Sequence, residues 1–162
     1  MKSNRAHLAV MLAAALSAAG SWTFAAHRAL STPFLGVTVR DIPLGQDVAI
    51  HDKRGWPLIV NNTGGEPLRV RVVARIPIAA QMRPGYKPIP DAAWIRIEPD
   101  VQIIPPYTSA NFAVSVHVPS QRAYARRHYM ALLSIRGRSP EETGLSIEGG
   151  LLVRLRLSTA RK

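Results

Sequence analysis

An all-β fold, with antiparallel strands packed as a sandwich, is what this sequence predicts, and three observations predict it. From Phe34 onward apolar and polar residues alternate with a period of two, the mark of half-buried strands. Prolines and glycines punctuate the alternating runs, at Pro43, Gly45, Gly64, Gly65, from Pro84 to Pro90, and at Pro105, Pro106, Pro119, Gly137, Gly149 and Gly150. Proline removes a ladder donor, so such positions suit turns and edges. Third, the runs are short and no long helical pattern interrupts them, as expected of a sandwich.

Taken in order, strands are expected near 34–40, 47–50, 56–62, 67–76, 93–97, 101–104, 110–118, 129–136 and 150–158. In "LRVRVVARI", Leu68, Val70, Val72, Ala74 and Ile76 share one face, with Arg69, Arg71, Val73 and Arg75 on the other. "ANFAVSVHV" sets Ala110, Phe112, Val114, Val116 and Val118 against Asn111, Ser115 and His117. "LLVRLRL" opposes Leu151, Val153, Leu155 and Leu157 to Arg154 and Arg156. In each case one face is core and the other is wet. A short helical turn is expected around 121–125, and "QMRPGYKPIPD" is a proline-rich loop. The stretch "PLIVNNTGGEPLRVRVV" is a strand, a loop and a returning strand. Asn61-Asn62-Thr63 matches a glycosylation acceptor pattern, yet its asparagines and glycines are the residues a turn selects.

The first residues give an address. Lys2 and Arg5 make a basic start, Leu8 to Gly20 is an uncharged apolar run, and small residues follow at Ala25 and Ala26. The run is shorter than the roughly 20 residues a membrane-spanning helix needs, so residues 1–26 are expected to be a cleaved signal peptide. Residues 27–162 then form one domain, periplasmic or secreted, with a single core. Cysteine is absent, which excludes disulfides, thiolate metal sites and cysteine nucleophiles. The whole chain carries a net charge of +11, with 21 Lys and Arg against 10 Asp and Glu. Outside the cytosol such an excess points away from nucleic acid. It points toward acidic envelope proteins, anionic lipid or acidic glycan.

No motif names a reaction. His27, His51, His117 and His128 lack the spacing of a metal pair. "GLSIEGG" approaches a nucleophile elbow, but Glu148 stands where the second glycine belongs. Glu141-Glu142 is read as solvating charge, and no cofactor is implied. Trp94 and Phe112 are assigned to the core, Tyr129 to a corner bonded to backbone, and Trp56 and Tyr86 to loop flanks. The candidate site is an arginine stripe: Arg69, Arg71 and Arg75 from one strand face, Arg154 and Arg156 from another. Guanidinium groups bind carboxylates and phosphates bidentately. If the two strands are neighbours in one sheet, five cations gather within roughly 15 Å as a surface for an anionic partner.

Three segments carry a family resemblance: "PLIVNNTGGEPLRVRV", "WIRIEPDVQIIPPYTSANFAVSVHVP" and "RRHYMALLSIRG". With Asn61 ending a strand, Pro99 and Pro105 six residues apart, the long alternating 110–118 run, and Arg127 with Tyr129, the chain resembles immunoglobulin-like domains of the PapD-like group. That group includes periplasmic pilus chaperones and major sperm protein domains. The resemblance implies an immunoglobulin-like sandwich. Pilus chaperones have two such domains and split their anchoring residues between them, whereas residues 27–162 make one domain, so no binding residue is carried over. The expected function is a non-enzymatic module for binding or scaffolding in the cell envelope. The alternatives are an accessory chaperone for pilus or other exported subunits, and a periplasmic hydrolase whose site is built from distant residues.

Overall fold

The computed structural model describes residues 30–140 and 149–161. Eleven strands run in the order β1 (Leu30–Ser31), β2 (Gly36–Ile42), β3 (Asp47–Ala49), β4 (Leu58–Asn62), β5 (Leu68–Arg75), β6 (Lys87–Pro88), β7 (Ile95–Glu98), β8 (Val101–Ile104), β9 (Ser109–His117), β10 (His128–Arg138) and β11 (Gly149–Thr159). The helical content among the described residues is three short 3-10 turns, Ala79–Gln81, Ala92–Trp94 and Arg122–Tyr124. No helix among them is long and apolar enough to cross a membrane. The residues 1–26 read as a signal peptide lie outside the described residues, as do His27, Glu141, Glu142 and Glu148.

Two sheets form the sandwich. One orders β1-β4-β9-β3, with β7 on the far side of β9; the other orders β2-β11-β10-β5-β8, with β6 continuing alongside β10. Most pairings are antiparallel, but β2 runs parallel to β11 and β6 parallel to β10. The chain changes sheets between β7 and β8. Ile95–Glu98 pairs with β9, and after Pro99 and Asp100 the next four residues pair with β5.

The core is what period two demands. Val70 and Val72 of β5, Phe112, Val114 and Val116 of β9, Leu133 and Ile135 of β10, and Val153, Leu155 and Leu157 of β11 are all buried between the sheets. Trp94 belongs to the core as expected, though it sits in a 3-10 turn rather than a strand. Its ring meets Tyr129 and Tyr124 edge-on at 5.1 and 4.9 Å between centroids.

The structure corrects the reading of Gly137 as a strand end. β10 runs through it to Arg138, because Gly137 faces inward beneath Leu30, and a Cβ there would stand 2.7 Å from Leu30 Cδ1. The glycine lets the two sheets approach; it does not stop the strand. Likewise Gly149 and Gly150 open β11. In β2, Asp41 takes φ 54° where the register with β11 shifts between Leu157 and Thr159. This is a bulge, and Asp is one of the few residue types that tolerate that backbone.

Candidate functional site: an arginine face on the larger sheet

Because residues opposite one another in a sheet share a face, the register builds the site. In β5, Arg69, Arg71, Val73 and Arg75 point outward, since Val70 and Val72 point in. β10 lies directly beside it, and its outward residues pair Arg138 with Arg69, Arg136 with Arg71, Ser134 with Val73 and Leu132 with Arg75. On the other flank of β10, β11 sets Leu152 opposite Ser134, Arg154 opposite Leu132 and Arg156 opposite Met130. β8 completes the face with Val101 opposite Arg71 and Ile103 opposite Arg69.

All five arginines of the predicted stripe therefore stand on one face of one sheet. Their two strands share one sheet but are not neighbours in it. β10 lies between them, paired with β11 on one side and β5 on the other. β10 adds Arg136 and Arg138, which the sequence reading missed. Their alternation with Ile135 and Gly137 was the available signal, hidden by treating Gly137 as a terminator.

Like charges directly opposite in a sheet destabilise it, and here two such pairs, Arg69 with Arg138 and Arg71 with Arg136, sit one above the other. Among the described residues β5, β8, β10 and β11 carry no Asp or Glu, and β2 carries one, the exposed Asp41 at its bulge. Arg136 has an interaction partner of its own, and two further ion pairs join Arg96 with Glu98 at 2.6 Å and His117 with Asp47 at 3.0 Å across β3 and β9. Arg69, Arg71, Arg136 and Arg138 line a shallow cavity of about 230 Å³, with Val101 and Gly137 completing its wall.

A second, larger depression of about 400 Å³ adjoins it, and Arg136 borders both. Its lining is mostly apolar, with Ile76, Ile78, Leu132 and Leu152 beside Arg75 and Ser134. The 76–81 segment, whose turn is closed by Ile78 N–H donating to Gln81 Oε1 at 3.1 Å, forms one wall. Met130 and Leu132 are buried although they lie on the outer face, whereas Ile78 and Leu152 remain 65% and 57% exposed. Solvent-exposed isoleucine and leucine walling one groove is a feature that single scattered apolar residues do not make.

Other expected positions have structural explanations. Trp56 is exposed with the Arg54 guanidinium 5.5 Å above its ring. Asp52 accepts from the backbone N–H of Trp56 and of Arg54, and the Trp56 bond foremost holds its carboxyl below the usual range. Tyr86 meets His128 edge-on at 5.9 Å. Tyr129 makes no hydrogen bond from its hydroxyl to backbone among the described residues, so the corner assignment fails. Its ring is held by Trp94 and Tyr124, and burial pushes its phenol up against the opposing pull of Arg127. No three His, Asp or Glu among the described residues are placed to hold a metal. Ser146 of the near-elbow motif lies outside them.

Both asparagines of the Asn61-Asn62-Thr63 stretch are hydrogen-bonded within the sandwich. Asn61 is half-buried in β4 and donates to Ser31 Oγ at 3.3 Å. Asn62 is 1% exposed and joins two loops at the end of the sandwich. Its Nδ2 donates to the carbonyls of Glu66, Ile104 and Pro105 at 2.7, 3.1 and 3.1 Å, while its Oδ1 accepts from Gly64 N–H at 2.9 Å.

No family model matches the chain, and no curated protein does. Solved structures do match. A PapD-like (ASH) domain of human CEP192 aligns with a TM-score of 0.60 at 12% identity, covering 97% of this chain and 99% of that one. The YadV chaperone aligns at 0.53 and 12% identity over 81% of this chain and 52% of its own. A Salmonella enterica complex of SafA pilin with the SafB chaperone aligns at 0.51 and 12% identity, covering 80% of this chain and 54% of the matched one. The chain spans about half the length of the chaperones it matches. The fold is an immunoglobulin-like sandwich of the PapD type.

Proposed function

We propose that the protein is an exported, non-catalytic binding module of the cell envelope, and that the arginine face is its recognition surface for an anionic component. One observation carries this reading. Seven arginines project from β5, β10 and β11 on a single sheet face, where no carboxylate of the described residues is interleaved with them. Where like charges stand opposite each other in a sheet, as Arg69 and Arg138 do, stability is given up, and an anionic ligand offsets that cost. The solved structures of the same fold named above are chaperones and a PapD-like domain, which fits binding rather than catalysis.

The test is binding to anionic liposomes and to an acidic glycan across a salt series. Binding should weaken as salt rises from about 0.05 to 0.3 M, because screening shortens the reach of surface charge. Replacing Arg69, Arg71, Arg75, Arg154 and Arg156 with Gln should abolish it and leave the melting temperature unchanged or slightly raised. A wild-type protein that ignores every polyanion at low salt overturns the reading.

Export is part of the same proposal and has its own measurement. Mass spectrometry of the mature chain should find an N-terminus near Ala26 or His27, and an intact Met1 on the purified soluble protein would refute it.

An accessory chaperone is the second reading. It rests on the shared fold and on β7, Ile95–Glu98, which among the described residues pairs with β9 alone and so offers its other edge to an added strand. A chaperone would hold a strand-deficient exported subunit soluble and co-purify with it.

A further inference from the structure

Strand edges expose unpaired N–H and C=O groups, and proteins blunt them with charge, proline, bulges or brevity. Most edges of this sandwich are blunted in one of these ways. β2 carries Arg40 and the bulge at Asp41. β7 carries the Arg96–Glu98 ion pair, and the short β3 has Asp47 paired with His117. β1 has two residues, and β6 is only Lys87–Pro88. β8 is different. Its sequence, Val-Gln-Ile-Ile, holds neither charge nor proline, Ile103 stands 56% exposed on it, and among the described residues it pairs with β5 alone.

The register identifies the open groups. Val72 N–H donates to Asp100 O at 2.9 Å, so the Asp100 carbonyl faces β5. By alternation the backbone groups of Gln102 and Ile104 face β5 too, and those of Val101 and Ile103 point away from it. Side chains hold the strand in place. Gln102 Nε2 donates to Asn111 O of β9 at 2.6 Å, and Ile104 O accepts from Asn62 Nδ2 at 3.1 Å. An edge fixed in this way has little freedom left to lose on pairing.

We infer that β8 pairs with β8 of a second copy of this chain, antiparallel about a two-fold axis through Gln102, and so joins two larger sheets into one. The occupant follows from the strand's own symmetry. The axis sets Val101 opposite Ile103 of the second copy, and each such pair exchanges both of its backbone bonds, so every open group of both strands is used. β-branched side chains then meet β-branched ones, Gln102 meets Gln102, and no charged residue stands opposite another. The opposing influence is charge, since each copy brings Arg69 and Arg71 to the strand behind the junction. Three strand spacings, roughly 14 Å, separate Arg71 of one copy from Arg69 of the other. At 0.15 M salt charge acts over about 8 Å, so the repulsion is largely screened there and grows as salt falls. This pairing goes beyond the anion-binding function proposed above and does not require it.

A short edge buries less surface than a permanent interface does, so the complex is a weak one. In about 0.3 M salt, sedimentation equilibrium of the mature protein over about 5–500 μM should show monomer and dimer in exchange, with the dimer weakened about fivefold or more at about 0.02 M. Ile103→Lys sets a charge on the edge and should abolish the dimer. Its melting curve at low concentration should match the wild type, because the position is exposed. The chain has no cysteine of its own, so cross-linking reads the register. Val101→Cys mixed with Ile103→Cys should form a disulfide dimer about tenfold faster than either variant alone. The two-fold axis brings position 101 within about 5.5 Å of position 103 but leaves it about 9 Å from its own counterpart, beyond disulfide reach.

A protein that stays monomeric throughout this range overturns the inference, whether or not it binds polyanions. A dimer that survives Ile103→Lys, or that cross-links no faster in the mixture, uses another surface and overturns it too. So does protection of the Val101 and Ile103 amides from hydrogen exchange that appears only when cell extract is added, because a foreign strand then takes the edge.

Discussion

Val114→Asp should leave the mature chain unfolded at 25 °C, with no cooperative melting transition, whereas Asn111→Asp three residues earlier should melt like the wild type. Both lie in β9. Val114 is buried against the opposite sheet, and its strand is paired on one side by Ile97 of β7. Asn111 is exposed and stands opposite Ile59 of β4. Among the described residues no Lys, Arg or His is buried to meet a carboxylate at position 114, and an unpaired buried charge costs several kcal/mol. Domains of this size hold about 5–15 kcal/mol in total, and this one has no disulfide to fall back on. The exposed site is worth at most about 0.5 kcal/mol either way. His117 is a poorer control than alternation alone suggests: it faces Asp47 across the ladder, so an Asp there would set two carboxylates opposite each other. A Val114→Asp protein with a wild-type melting curve would mean that β9 pairs one residue out of register, since a single step exchanges its faces.

What could be read from the sequence follows from which interactions are local. Alternation is a property of one strand, so the inward residues of β5, β9 and β11 were legible, and the outward arginines with them. Strand order is a property of the whole chain. Nothing in "LRVRVV" or "LLVRLRL" says that β10 lies between them, and the arginine face is therefore seven residues wide in its true form rather than five. β1 and β6 are two residues each, too short to show any period. β6 exists because β5 ends at Arg75 and leaves Tyr129 and Met130 of β10 open for Lys87 and Pro88 to run alongside. The apolar groove was illegible for the same reason: Ile76 and Ile78 follow β5 in the chain, but Leu132 and Leu152 reach them only through the assembled sheet. The role of Asn62, by contrast, was written locally and missed. Leu58, Val60 and Asn62 share the inward phase of β4, so period two already placed one asparagine of the pair in the core and the other at its edge.

That inward asparagine sets the last expected result: Asn62→Leu should lower stability by about 3–5 kcal/mol despite its similar size and greater apolarity. The side-chain amide has two N–H groups and serves three carbonyls, those of Glu66, Ile104 and Pro105, so one hydrogen is shared. Its oxygen also accepts from Gly64 N–H. The backbone groups belong to two loops, between β4 and β5 and between β8 and β9, and the second loop's Tyr107 takes φ 55° while its N–H donates to Gly64 O at 3.3 Å. Leucine would strand those partners where water reaches poorly, and each unsatisfied group costs about 1–3 kcal/mol, reduced by whatever the loops can open to solvent. Asn62→Asp separates shape from hydrogen bonding. It keeps the outline but, when ionised, has no donor for three carbonyls and places a charge in a buried site. Its folded-state pKa should therefore lie above the unfolded value, so the folded protein binds the extra proton. Its deficit relative to wild type should be smallest below the unfolded pKa and grow as pH rises through the folded one. Chemical denaturation of both variants at pH 4 and pH 7 measures this. If Asn62→Leu unfolds at the wild-type denaturant concentration, the two loops are held by their backbone bonds, Tyr107 N–H to Gly64 and Asn62 N–H to Thr108, and the amide is a passenger.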